Sequence, residues 1–545
     1  MKINKIITIA SLALLSVTAL TACGKSNTAS GHKGQLNLMV GSEMPTLDPS
    51  LATDDSSLTA LSNTFDGLYR IEKNAKPENA LATNTKVQSN GLTWTFQLRK
   101  GVKWSNGDPV TAQNFVDGWQ RTNDPKTAAE FAYLFDGVKN ATAIQNGKAP
   151  VKSLGVKAVG AHKLVVTLEK PIPYFKLLLG FPVFFPQDQR AITKYGKQYG
   201  QDSSKQVYNG PFTVNGYHGT NSKWSWQKNS AYWDKQSVKL DKINFQVVKD
   251  ASTQLNLYNS QKADITQLSG DQVEQYKNNK QYIYRPGSAV TYLQMNEKAV
   301  PALKNEKIRA ALSYAINRKQ LVNNVLQDGS TAAKTFTPAK LASNPTTGKD
   351  FAKQAVVPGA LDTDLAKSKK LMQEGQQETG SSSLNLTLLS GDTNVEKQNA
   401  QFLQSELNKL PGVKVSLTPM PGKAKLSHTS KGQFQLALSS WLADYSDPNT
   451  YAIFSTQNDQ NNGKWSNAAY DQNVADAGGK NAQQPTKRFD NLVAADQELV
   501  KSYGVIPLFD GSVPGSGPFL QRAYVKGIVY NTAGINWNYK HAYVK

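Results

Sequence analysis

The amino-acid sequence predicts a mixed α/β protein with several sheets rather than one doubly wound sheet. Short segments of period-two hydrophobicity recur along the whole chain, two segments carry helical apolar spacing, and the two kinds alternate irregularly. With 545 residues, 39% of them hydrophobic and 19% charged, the chain can bury ample core. Its length suits roughly two to four structural units. With 39 Gly and 24 Pro it is neither fibrous nor low-complexity.

The elements follow in order. Leu36-Asn37-Leu38-Met39-Val40 is a strand, followed by Gly41 and the extended segment Pro45 to Pro49. Trp94 to Arg99 alternates, which sets Trp94, Phe96 and Leu98 on one face. Lys100-Gly101 and Asn106-Gly107 are turn signals on either side of Val102-Lys103-Trp104. Thr111 caps a helix through Phe115 to Trp119. Strands recur at Lys163 to Leu168 and Lys242 to Val248. From Glu306 to Leu326 apolar residues return every three or four positions, which predicts one long amphipathic helix. A second helix is expected near Lys397 to Leu407, with strands at Leu384 to Leu389, Val413 to Leu417, Gln435 to Leu438 and Val505 to Phe509. Ser381-Ser382-Ser383 marks a loop, and no internal repeat is visible.

The front of the chain has its own logic. Lys2 and Lys5 precede a charge-free apolar run from Ile6 to Ala22, which reads as a secretory signal, residues 1–22. A permanent membrane anchor is the rival, but it needs about 20 apolar residues, and this run is shorter and ends in small and hydroxyl residues. Cys23 follows and is the single cysteine, so no intrachain disulfide and no cysteine-based metal site can form. The net charge of +21 is spread along the chain rather than gathered in a block. It therefore reads as a surface property and not as a nucleic-acid footprint.

Catalytic patterns are missing. The five histidines, His32, His162, His218, His428 and His541, include no short-spaced pair of the zinc-binding kind. No nucleophile elbow and no phosphate-binding loop occurs. Asp54 and Asp55 are adjacent, but on an extended segment neighbours point to opposite sides, which argues against paired acid–base work. No enzyme activity, metal or cofactor is expected.

Two motifs carry a resemblance. Leu20-Thr21-Ala22-Cys23 resembles the lipobox of bacterial lipoproteins, which implies a diacylglyceryl group on Cys23 and two acyl chains, enough to anchor stably. Residues 23–34 would then be a flexible tether. Trp94-Thr95-Phe96-Gln97-Leu98-Arg99, leading to Trp104-Ser105-Asn106-Gly107-Asp108-Pro109 and Trp119-Gln120-Arg121, resembles the signature of the large extracellular solute-binding proteins of peptide ABC importers. Asn209-Gly210-Pro211-Phe212, Tyr232-Trp233-Asp234, Lys307 to Arg318, Trp441-Leu442-Ala443-Asp444-Tyr445 and Val505-Ile506-Pro507-Leu508 extend it, from about Leu36 to the C-terminus.

The resemblance implies a periplasmic-binding-protein-like two-lobe α/β fold of class II, with mixed sheets, an extra domain and a hinge. The implied domains are 35–66 with 188–288 and 510–545 as the main part of lobe 1, 67–187 as the extra domain, and 289–509 as lobe 2. It further implies a monomer on the outer face of a Gram-positive cell membrane. That monomer would capture peptides and deliver them to permease subunits driven by separate ATPase subunits. The signature aromatics themselves read as core packing.

A site indifferent to peptide sequence must satisfy the peptide backbone and meet its ammonium with a carboxylate. By the resemblance Asp444 takes the ammonium, Trp441 and Leu442 line the cleft, and Tyr133, Asn256 and Asn461 stand at cleft positions. Thr53, Asp54 and Asp55 would face the cleft through their main chain. On sequence alone Asp444 is a turn carboxylate ahead of Ser446-Asp447-Pro448, and the rival readings make Trp441 a core residue and the two asparagines ordinary turn residues. Some relatives hold a short peptide's carboxylate with an Arg three residues before the tryptophan, or with a histidine. Here those positions are Leu438 and about Glu396, which implies tolerance of longer peptides. Other cargo on the same fold (dipeptides, signalling peptides, haem, metal chelates), a basic surface adhesin and an exported hydrolase are the competing readings.

Overall fold

In the computed structural model, residues 34–219, 221–458, 460–511, 516–534 and 537–545 are described. The signal, Cys23 and nearly all of the tether lie outside them. No helix among the described residues is long and apolar enough to cross a membrane.

Two large cores organise the chain. The first draws on residues from Leu36 to Ile265 and again from Phe519 to Ala542. Its four-stranded sheet runs Gln35–Val40, Lys242–Val247, Lys223–Lys228, Phe212–Asn215. Alternation sends Leu36, Leu38, Trp224, Trp226, Ile243 and Phe245 inward. An antiparallel sheet of Ala82–Val87, Thr93–Leu98, Lys163–Thr167 and Val156–Ala158 adjoins it. There Trp94, Phe96, Leu98 and Trp104 are all buried, and Trp94 stacks on Phe96. Burial of each such side chain contributes about 1.5–3 kcal/mol, so the signature block is core. Gly101 and Gly107 take positive φ at the two predicted turns.

The second core runs from Leu293 to Phe509. Its six-stranded mixed sheet is ordered Thr331–Ala332, Ile506–Asp510, Ala289–Met295, Leu436–Leu442, Leu384–Gly391, Val413–Met420. The helix Glu306–Ala315 packs on Leu365–Thr379. Gly375 makes that approach possible, because a Cβ there would meet Ile308 at 2.6 Å.

The chain passes between the two bodies twice. One crossing joins Tyr282–Arg285 to Ala289–Met295, and the other joins Ile506–Asp510 to Gly517–Gln521. Gly517–Gln521 pairs with Ile265–Gln267 and Tyr282–Arg285 in a sheet of the first body. Two passages of the chain between separately cored bodies are the arrangement of a hinge.

The predicted strands appear where expected, except that Gln435 to Leu438 extends to Leu442, and so carries Trp441 and Leu442 on a strand. The long helix from Glu306 to Leu326 is corrected. It stops at Ala315, Ile316 is extended, Asn317 caps a fresh turn through the Gln320 N–H, and a wider π turn covers Leu321–Leu326. The break has a polar cause. Buried Arg318 donates to the carbonyls of Ser313, Leu361 and Pro507 at 3.1, 3.2 and 2.6 Å. These carbonyls belong to the helix just before it, to the strand Ile506–Asp510 and to the segment at Leu361, and a straight helix would not bring one guanidinium to all three.

The extended reading of Asp54-Asp55 is likewise corrected. Asp54 accepts from the Ser57 N–H at 2.9 Å and caps the helix Asp55–Thr64.

Candidate functional site between the two bodies

Trp441 is the last but one residue of the strand Leu436–Leu442, with its indole N–H on the Thr450 carbonyl, 2.8 Å away. The Thr450 hydroxyl accepts from the Asp444 N–H at 3.1 Å. Asp447 caps the short helix Pro448–Tyr451 through the Asn449 N–H at 2.9 Å. The loop from 443 to 447 is therefore tied at both ends. Gly534, from the first body, donates to the Ala443 carbonyl at 2.8 Å. Only glycine suits that spot, with φ +66° and a Cβ that would sit 2.8 Å from the Asp444 carbonyl oxygen.

Held this way, Asp444 meets Tyr133, which lies 311 residues earlier on the short helix Glu130–Phe135, and the hydroxyl donates to Oδ2 at 3.0 Å. Asp444, but not Tyr133, borders a recess of about 20 Å³ that is also lined by Ile71, Leu177, Phe181, Tyr445 and Gly534. That volume accommodates one small polar group. Loss of hydration in this apolar setting pushes the Asp444 carboxyl up to about 6, against a smaller opposing pull from the Tyr133 hydroxyl. The same burial and the neighbouring carboxylate hold the Tyr133 hydroxyl well above its ordinary range.

Ala75 and Ser446 border both this recess and a cavity of about 1070 Å³. One wall of the larger cavity comes from the first body, with Val87, Gln88, Trp94 and Lys176 among its residues. The facing wall holds Lys340, Ser343, Asp447, Gln483 and Arg488. The bodies touch at its edge. Tyr174 stacks on Tyr445 with centroids 4.7 Å apart, Asn449 donates to the Tyr174 hydroxyl at 3.1 Å, and Gln483 donates to the Asn90 carbonyl at 2.8 Å.

Of the six ligand positions named from the sequence, the structure brings Tyr133 and Asp444 together. Leu442 is exposed next to them in sequence, while Trp441 is half-buried against the second body's aromatic cluster. Neither borders either cavity. Asn256 is exposed on the helix Ala251–Asn259 and borders neither cavity. Asn461 is buried, and its amide donates to the carbonyls of Phe454, Ser455 and Trp465 at 3.2, 3.3 and 2.7 Å. It holds a turn, the role its residue type suggested without the resemblance. Leu438 is core, and Glu396 is engaged by Lys425 at 2.7 Å.

Sequence reasoning missed Asp447, Arg488, Lys176 and Lys340. They lie on four separate segments, three folded together in the second body and the fourth, with Lys176, brought in by the first. A concentration of proline on those segments (Pro171, Pro173, Pro345, Pro448 and Pro485 all border the cavity) is the one signal they share. Among the described residues no group of three or more His, Cys, Asp or Glu side chains could hold a metal.

A two-body α/β fold with a large cavity between the bodies defines a solute-binding protein of the kind that closes around its ligand. Residues 76–463 match the model for bacterial extracellular solute-binding proteins, family 5. The chain belongs to that family. It is 36% identical over 562 residues to a dipeptide-binding protein of Lactococcus lactis, with all of both chains covered. The oligopeptide-binding protein OppA of Bacillus subtilis is 29% identical, with 98% of this chain and 99% of that one covered. Among solved structures, Listeria monocytogenes OppA bound to peptide superposes with a TM-score of 0.80 at 35% identity, covering 94% of this chain and 99% of that one. The pheromone receptor PrgZ superposes with a TM-score of 0.81, also at 35% identity, covering 94% and 100%.

Proposed function

We propose that this protein captures peptides with a free amino terminus in the cavity between its lobes and delivers them to an ABC importer, without chemical change to the cargo. The observation that carries the reading is the Asp444 carboxylate, turned toward Tyr133 in a small apolar recess that opens beside a cavity of about 1070 Å³. A desolvated carboxylate with one hydroxyl partner has acceptor capacity left for an ammonium, and in low dielectric that pairing is strong. The larger cavity then holds the rest of the chain, with main-chain groups serving any sequence. Relatives named as dipeptide-binding, oligopeptide-binding and peptide-bound proteins support the cargo class.

The same reading makes 35–66 with 188–288 and 510–545 the main part of lobe 1, 67–187 its extra domain and 289–509 lobe 2. It is supported by the separate cores and by the return of Gly517–Gln521 to the first body. It places the protein outside a Gram-positive membrane as a monomer, held by lipid on Cys23, with the permease as partner. An apolar core residue at Leu438 in place of an arginine, and a Glu396 engaged by Lys425, leave no clamp on a short peptide's carboxylate, so longer peptides are tolerated. Titration calorimetry with a tetrapeptide and its N-acetyl form tests the central claim. The free form should bind at least about tenfold tighter, and Asp444→Ala should erase the difference. Equal affinities on the wild type would sink it.

A further inference from the structure

The larger cavity has an electrical sign. Among the described residues, four charged ones border it: Lys176, Lys340, Asp447 and Arg488. Arg488 donates to both oxygens of Asp447, at 2.9 and 2.6 Å, and the two charges cancel locally. Lys176 and Lys340 remain. Neither has an ion-pair partner among the described residues, and they stand on opposite walls. Lys176 belongs to the helix Phe175–Leu178 of the first body, with its ammonium 5.7 Å from the Tyr69 ring centroid.

Lys340 belongs to the second body and is held in a left-handed conformation, φ +67°. Its N–H donates to the Asp350 carboxylate at 2.8 Å, and that fixes the turn. Such a conformation is unfavourable for a residue with a Cβ and persists where the surroundings impose it. Here it holds the segment that forms this wall of the cavity.

We propose that Lys176 and Lys340 make this cavity select peptides that carry an acidic side chain beyond the bound amino terminus. The inference rests on the peptide reading above. With the ammonium end at Asp444, the following residues extend past Ala75 and Ser446 into the space between the two lysines. A carboxylate there gains two cations that otherwise repel each other across the cavity as the lobes approach. Lysine is a point charge on a flexible stem with three donors, so the preference is for charge and not for one fixed position. Both lysines are exposed, so each contributes modestly and the effect falls with salt.

The test uses amidated pentapeptides of alanine with a free amino terminus and one Glu or Gln at position three, four or five. Amidation removes the chain-end carboxylate, and a Gln peptide with a free C-terminus forms a separate arm. On the wild type the best Glu peptide should bind about 5- to 10-fold tighter than its Gln partner at low salt. Lys176→Gln and Lys340→Gln should each reduce that ratio, and the double variant should bring it to about 1, with unfolding temperatures unchanged. Equal binding of Glu and Gln peptides to the wild type overturns the proposal while the peptide reading stands. So does a preference that survives in the double variant, or one seen only for the free C-terminus. If no peptide binds at all, both readings fall.

Discussion

Arg488 holds Asp447 at both carboxylate oxygens, and the Tyr174 ring of the other body lies against its guanidinium, 5.5 Å from centroid to carbon. The ion pair is thus fixed from three sides. Asp447 caps Pro448–Tyr451, Arg488 rises from the helix Pro485–Lys501, and Tyr174 is itself stacked on Tyr445. A neutral pair of side chains would cap and pack less well, and a lone Asp447 would face a cavity wall with its charge unpaired.

Arg488→Ala should therefore destabilise the protein by about 2 kcal/mol, less than the full cost of orphaning a wholly buried charge because Asp447 retains some solvent. Adding Asp447→Asn should recover part of the loss, since the amide oxygen can still accept the Asn449 N–H and no charge is stranded. Urea unfolding of the two singles and the double measures this. A single Arg488→Ala within 0.5 kcal/mol of wild type, an error-sized change for a surface site, would contradict the arrangement.

Much of the fold was legible because it rests on periodicity. The alternation at Trp94, Phe96 and Leu98 and the turn glycines at 101 and 107 gave a sheet that the structure contains. The segment from Glu306 to Leu326 misled for the same reason. Apolar spacing continues through Ile316, and the helix breaks where Arg318 reaches the carbonyls of Leu361 and Pro507, 43 and 189 residues away, as well as that of Ser313, which no local pattern records. The site divides likewise. Asp444 was reachable through its motif, and Tyr133 through the family likeness. The cavity cations were not, because Lys176 and Lys340 acquire meaning only when two bodies face each other.

Asp444 should trade stability for binding. Burial raises its carboxyl to about 6, so the folded chain holds that proton more tightly than the unfolded chain does. The stabilisation is complete below the ordinary carboxylate value and is lost as pH rises through about 6. Asp444→Asn has no such loss, so its unfolding free energy should exceed wild type at pH 7.5 and converge with it near pH 4. Peptide affinity should move the other way, weakening in the wild type as pH falls below 6 and staying low in the variant at every pH. A stability difference that does not change between pH 4 and 7.5 would show that the carboxyl is not desolvated in the fold.

Asp510 offers a second titration with a different window. It ends the strand Ile506–Asp510 at the second crossing, flanked by Val290 and Thr331 in the sheet. Its Oδ1 is buried with no hydrogen-bond partner among the described residues. Burial first, and then the like charge of Asp496, push its carboxyl up to about 8. Burial also raises the Asp496 carboxyl, against a smaller opposing pull from Thr337 and from the N–H groups of Phe336 and Thr337, which it accepts at 3.1 and 2.8 Å. The sign is the same as for Asp444, but the range is wider: stability declines from the ordinary carboxylate value up to about pH 8 and is then flat. Asp510→Asn should accordingly gain on wild type steadily across that interval. The gain should still be rising between pH 7 and 8, where the titration of Asp444 is almost complete. Urea unfolding of the two variants and of their double at half-unit steps separates the contributions. A gain for Asp510→Asn that is already complete at pH 6 would mean that the hinge carboxylate reaches water and that the crossing strand is less enclosed than its neighbours require.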